Sequence, residues 1–155
     1  MKRRKMTTLV PLAAVAALTL IATALPVAHA EDGTDTCSVS ALKGTYSVLA
    51  QGTVVAQLPN FPAPPFPFAE VAIDYLDGTG KISGKFTANV GGVVVPGTVA
   101  GTYTVNSDCT GAVTMQTNSG IPVNEAFVVL GNRSLRLVDT DFYIVATRTM
   151  EKIRE

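Results

Sequence analysis

The sequence predicts an all-β protein, an antiparallel up-and-down barrel of about eight strands, with a β-sandwich as the alternative. Three observations carry this. Val99, Tyr103 and Val105 alternate with Ala100, Thr102 and Thr104; beyond Asn106-Ser-Asp108, Val113 and Met115 alternate with Ala112, Thr114 and Gln116. That is the period-2 pattern of two half-buried strands meeting at a tight turn. Turn signals then recur at roughly ten-residue intervals along the chain. No stretch after Gly44 reads as a convincing amphipathic helix, although residues 150–155 are compatible with a short helical turn. Of the two all-β architectures the barrel is favoured, because closure removes the exposed edges that would template aggregation.

The first thirty residues read as a targeting segment. Lys2-Arg-Arg-Lys5 is a basic start, Leu9 to Leu25 is almost wholly apolar, and Ala28-His-Ala30 matches a signal-peptidase site. The expected mature chain begins at Glu31, is exported, and has no stable membrane insertion. It comprises a segment 31–44 carrying Cys37, one barrel domain over 45–150, and a tail 151–155. Four of the twelve basic residues lie in the leader and all twelve acids lie beyond it, which leaves a net charge of −4. With no Lys/Arg cluster remaining, nucleic acid is not an expected partner. Cys37 and Cys109 are the sole cysteines, and in an exported chain they are expected to form one disulfide.

Along the mature chain, residues 38–43 fit one helical turn stopped by Gly44. Thr45 to Val55 reads as the first strand. Leu58 to Phe68 holds five prolines among Phe61, Phe66 and Phe68, which predicts a stiff loop packed on the body or rimming an opening. Ala69 to Leu76 forms the second strand before the hairpin signal Asp77-Gly-Thr-Gly80. Lys81 to Val90 alternates as the third, with Ile82, Phe86, Ala88 and Val90 on one face. Gly91-Gly92 and Pro96 are expected to break the next connection around a short Val93–Val95 strand. The hairpin of residues 99–117 supplies two more strands, and Val123 to Leu130, Ser134 to Val138 and Phe142 to Thr149 complete the set. The first, sixth and eighth strands carry apolar residues on both faces. Their outer wall is expected to be covered by the Pro/Phe loop or by a second subunit, making a homo-oligomer a candidate state.

Beyond the leader there is no histidine and no tryptophan, which excludes Cys-His and Ser-His-Asp catalysis and the usual zinc spacings. No phosphate-cradling glycine loop opens a helix, so no cofactor is expected. Carboxylates, arginines and tyrosines placed among strands remain. Glu125 shares a face with Val123, Phe127 and Val129, and Arg148 shares one with Ile144 and Ala146. Inside a barrel these two could orient a ligand, whereas the plainer reading has Glu125 facing solvent or paired to an arginine for structural reasons. Glu70 and Asp74 share a strand face about 13 Å apart, too far for a catalytic pair, and are read as a solvated face. Asp77 and Asp108 read as turn residues rather than calcium ligands.

Cys37-Ser-Val-Ser-Ala-Leu-Lys-Gly-Thr-Tyr46, Asp77-Gly-Thr-Gly80 and Gly101-Thr-Tyr-Thr-Val-Asn-Ser-Asp-Cys-Thr-Gly111 together resemble a group of uncharacterised exported bacterial proteins with two cysteines. The barrel reading is also similar in architecture to allene oxide cyclase, dirigent and lipocalin barrels. Fold alone assigns no site here.

The expected function is binding of a small apolar or amphipathic molecule. A structural barrel filled by its own side chains is one alternative, and a cyclase- or isomerase-like enzyme is the other. No catalytic and no metal residues are assigned. The candidate lining residues are Phe61, Phe66, Phe68, Phe86, Tyr103, Met115, Glu125, Phe127 and Arg148. Gly84, Ala88, Gly101 and Gly111 are expected to leave interior room.

Overall fold

The structure, a computed structural model, describes residues 37–59, 61–131 and 133–154. The expected leader and the residues up to Thr36 lie outside them. Among the described residues, a single 3-10 turn, Ser40–Leu42, precedes eight strands: β1 Gly44–Val54, β2 Phe66–Leu76, β3 Lys81–Val90, β4 Val93–Val105, β5 Thr110–Thr117, β6 Pro122–Leu130, β7 Ser134–Asp139 and β8 Ile144–Arg154. Every strand pairs with its sequence neighbours, and β8 pairs antiparallel with β1, so the sheet closes into the expected up-and-down barrel.

Three elements depart from the sequence expectation. First, β2 begins at Phe66, so Phe66 and Phe68 belong to a strand and not to the loop. Pro67 is tolerated between them because β2 pairs with β3 only from Phe68↔Val90 onward. Second, β4 runs unbroken through Pro96. The Tyr103 N–H donates to Gly80 on the β3 side and the Thr98 N–H to Asn118 on the β5 side. Alternation therefore turns the Pro96 nitrogen toward β5, whose pairing reaches only to Val99↔Thr117, and no ladder bond is lost. Third, residues 151–154 continue β8 as strand, paired with β1 through Lys152 and Arg154.

One end of the barrel is closed. Leu42 from the 3-10 turn and Tyr46 (0 % exposed) plug it, with the Tyr46 hydroxyl donating to the Leu42 carbonyl at 2.9 Å. The Tyr103 hydroxyl donates to the Val39 carbonyl at 3.1 Å, and the expected Cys37–Cys109 disulfide staples the same segment to the β4–β5 turn. Asp77 and Asp108 each accept hydrogen bonds within their own turns, from Thr79 and Lys81 and from Thr110 respectively. Above the plug lies a solid apolar layer that includes Ile82, Tyr103, Met115, Phe127, Leu135 and Met150.

The glycines expected to leave room are covered. The Phe127 ring lies over Gly111, the β5 backbone over Gly101, and the Asp74 carboxylate over Gly84. A Cβ on Gly84 would sit 1.9 Å from Asp74 Oδ1 and 2.8 Å from the Ile73 carbonyl. Gly84→Ala is therefore expected to cost about 1–3 kcal/mol in urea unfolding. An unchanged midpoint would mean that Asp74 has another rotamer available.

On the outside, Val145 (66 % exposed) stands on β8 opposite Thr53, and Leu49 (58 % exposed) with Val71 and Ile73 forms an apolar wall across β1 and β2. The Pro/Phe loop does not cover it. Two backbone N–H groups, those of Val55 and Ala56, tie the start of that loop to the Tyr143 carbonyl at the opposite end from the disulfide.

A cavity at the open end with a charged floor

The order of side chains along β2 and β8 divides the interior into layers. On β2, Leu76 belongs to the solid layer, Asp74 and Glu70 follow, and Phe66 and Phe68 end at the open mouth. On β8 the matching order is Met150, Arg148, Ala146 and Ile144. A rank of charged groups thus separates the packed end from a second apolar cluster at the mouth, which includes Val54, Leu58, Val90 and Tyr143.

Glu70 and Asp74 are the principal correction to the sequence reading. Both are buried inside the barrel, and β2 sets the apolar Val71, Ile73 and Tyr75 outside. Phe66, Phe68 and Leu76 share the inward face with them, and Arg148 on β8 receives the two carboxylates. Arg148 (7 % exposed) donates from Nη2 to Glu70 Oε1 at 2.9 Å. Its Nη1 is 3.8 Å from Asp74 Oδ2, and its Nε is 3.1 Å from Glu125 Oε1, at an angle that misses a hydrogen bond. Glu125 (4 % exposed) accordingly points inward and pairs with the arginine. Among the described residues, Glu125 Oε2 and both Asp74 oxygens have no hydrogen-bond partner.

Burial raises the pKa of all these carboxyls, and Arg148 offsets the shift only in part. Glu125 is pushed up to about 7 and Asp74 to about 6, while Glu70 is raised as well. Asp139, half-buried at the end of β7 and opposite Glu125 in the register, is pushed up to about 6, also chiefly by burial. Burial works against the charge of Arg148, but Glu125, Glu70, Asp74 and Asp139 together hold it above the ordinary arginine value.

Over this floor lies a cavity of about 320 Å³, within the size range of small-molecule sites. Of the candidate residues, Phe61, Phe68, Phe86, Glu125 and Arg148 line it. Phe66 does not; it stacks against Phe61 with ring centroids 6.4 Å apart and packs on Gly91, backing the rim from behind. Tyr103, Met115 and Phe127 face inward but belong to the solid layer at the closed end, because their strands place them on the far side of the charged rank. Ala88 alone of the four small residues lines the cavity.

The rim has its own supports. Gln57 Nε2 donates to the carbonyls of Leu58 and Phe61 at 2.8 and 3.0 Å, folding the Pro/Phe loop over the opening. Across the mouth, Asp141 accepts from the Asn124 backbone and side chain, both at 2.8 Å, and the Asp141 N–H donates to Asp139. The Tyr143 hydroxyl donates to the Pro122 carbonyl. Glu70, Asp139 and Tyr143 are lining residues that the sequence reading missed. The signal of the two carboxylates, acids facing an arginine-bearing strand across the interior, becomes visible only once β2, β7 and β8 are placed around one interior.

No family model and no curated protein matches the chain. Among solved structures, the chain is similar to a de novo designed fluorescence-activating β-barrel, with TM-score 0.55 and 11 % identity over 75 % of this chain and 97 % of that one. It is also similar to a redesigned β-barrel, with TM-score 0.51 and 14 % identity over 77 % of this chain and 97 % of the other. At these identities the likeness establishes the small closed β-barrel fold.

Proposed function

We propose that the protein is an exported binding barrel that holds a small, largely apolar molecule in the cavity at its mouth. The observation that carries this is the contrast within one interior. The closed end is occupied by a cluster of buried apolar side chains, whereas the open end keeps about 320 Å³ behind an aromatic rim. A barrel evolved only as a structural block would gain stability by filling that space, since unfilled apolar volume costs packing energy. The barrel neighbour described as fluorescence-activating supports the idea that a small β-barrel can present such a site. Export is supported by the disulfide and by the leader-like sequence. Kinship with the exported two-cysteine proteins that the sequence resembles is part of the same proposal. The cyclase-like alternative is less well served, because Glu125 has Arg148 beside it and is not the solitary buried carboxylate such an enzyme would use.

Titration with the neutral probe N-phenyl-1-naphthylamine tests the reading. Its emission is expected to rise and saturate at one molecule per chain. Ala88→Phe places a ring in the cavity, and Phe61→Ala with Phe68→Ala opens the rim. Both variants are expected to lower probe affinity by about tenfold or more while circular dichroism stays that of a barrel. Absence of any probe binding by the wild-type protein would replace this reading with the structural one.

A further inference from the structure

We propose that the cavity selects an organic cation, a protonated amine on an apolar body, over neutral and anionic molecules of the same shape. The inference rests on the cavity reading above and adds the charge of the occupant. Four carboxyl groups, those of Glu70, Asp74, Glu125 and Asp139, surround the single guanidinium of Arg148. Three of the four, Glu70, Glu125 and Asp139, line the cavity itself.

The arginine is already engaged. Its three nitrogens face Glu70, Asp74 and Glu125 at 2.9, 3.8 and 3.1 Å. An anionic ligand would have to displace one of these carboxylates from Arg148, the one cation on the floor among the described residues, leaving it buried and unpaired. A cation meets the opposite situation. Glu125 is almost wholly buried and lines the cavity, yet its Oε2 has no hydrogen-bond partner among the described residues. An ammonium group at this floor would sit beside the Glu125 and Asp139 carboxylates, while its hydrocarbon body lies along Phe68, Phe86 and Val123. The way in carries the same bias. The described connections at the mouth, residues 55–59, 61–65, 91–92, 118–121 and 140–143, contain no lysine or arginine, and their only charged residue is Asp141.

The preference has a pH signature. The groups facing Glu125 are Asp139 on β7, Glu70 and Asp74 on β2, Arg148 on β8 and the Tyr143 hydroxyl at the rim; β5 opposes it with the apolar Val113. Burial, partly offset by Arg148, sets Glu125 near 7. Below that pH it is neutral and gives an ammonium group less attraction; above it the attraction is full.

The test uses the wild-type protein with bound N-phenyl-1-naphthylamine, displaced at pH 7.5 by decylamine, decanol or decanoate. These share one chain length and differ in head group. Decylamine is expected to displace the probe at a concentration about tenfold or more below that for decanol, with decanoate weakest. The amine-to-alcohol ratio should be larger at pH 8 than at pH 6, and in Glu125→Gln it should fall below about threefold. Equal potency of amine and alcohol, or a preference for decanoate, overturns the proposal while leaving the cavity reading intact. If the probe itself does not bind, the cavity reading falls and takes this proposal with it.

Discussion

Arg148→Met is expected to destabilise the barrel by about 3–5 kcal/mol at pH 7.5, the cost of stranding buried carboxylates without their counter-ion. The substitution keeps an unbranched apolar stem but removes the one guanidinium that Glu70, Asp74 and Glu125 share. The loss should shrink on acidification. At pH 5 the carboxyls that burial has raised, Glu125 to about 7 and Asp74 to about 6, are largely protonated and no longer require a cation. Adding Glu70→Gln, Asp74→Asn and Glu125→Gln to Arg148→Met should restore much of the stability, because uncharged partners leave nothing to neutralise. The chain has no tryptophan, so urea unfolding followed by circular dichroism is the suitable measurement. An equal loss at pH 5 and pH 7.5 would show that packing by the arginine stem, and not its charge, holds the floor together.

The wild-type protein carries the same linkage with a definite sign. Glu125, Asp74 and Asp139 have folded-state values above their ordinary 4.5, 3.8 and 3.8, so between pH 4 and pH 7 the folded chain binds more protons than the unfolded one. Stability must therefore fall as pH rises through that window. At the acid edge, Asp77 is lowered to about 2 and Asp108 is lowered too, both by hydrogen bonds within their turns. Their contribution is present above the ordinary aspartate value and disappears only as pH falls toward their folded values. The two sets together place the stability maximum near the ordinary aspartate value of 3.8, well on the acid side of neutrality.

How far the sequence discloses this molecule can be read from particular residues. The hairpin from Val99 to Thr117 is legible because one face is apolar and the other small or polar, and its register is that of the paired strands β4 and β5. The closed up-and-down order follows from short links and from strands with no surplus edge. What fails is strand phase wherever the interior is charged. In β2, Val71, Ile73 and Tyr75 offer one apolar face, but Phe66, Phe68 and Leu76 share the opposite face with Glu70 and Asp74, and that face turns inward, where Arg148 across the β1–β8 seam receives the two carboxylates. Alternation reports which residues share a face, but which face is inside depends on partners over seventy positions away. Pro96 misleads for a related reason. A proline forbids a ladder bond only if a strand stands opposite its nitrogen, and strand length is not written locally. The candidate residues divide along the same line. Phe61, Phe68, Phe86, Glu125 and Arg148 share the mouth half of the barrel, whereas Tyr103, Met115 and Phe127 point inward at a different height.

Removing the disulfide is the other change with a large expected effect. Cys37 and Cys109 are 72 residues apart in sequence, and a loop of that length corresponds to roughly 4 kcal/mol in the chain-entropy account. Cys37→Ser with Cys109→Ser should therefore lower the melting temperature by about 15 °C for a domain of this size. The damage should begin at the closed end. Without the staple, the segment carrying Val39 and Leu42 is held chiefly by the hydrogen bonds of Val39 and Leu42 to Tyr103 and Tyr46 and by burial of the Leu42 side chain. Amide exchange should accelerate first around Leu42 and Tyr46, while the mouth strands keep their protection. Cys109 adds a second readout, since it is the one described non-glycine residue with positive φ, at 67°. Serine at 109 retains that backbone cost, and glycine is free of it. In a Cys37→Ser background, Cys109→Gly should therefore be more stable than Cys109→Ser by about 1 kcal/mol. A double-serine variant that melts within about 2 °C of the wild-type protein would mean that the plug holds itself and that the cross-link adds little to it.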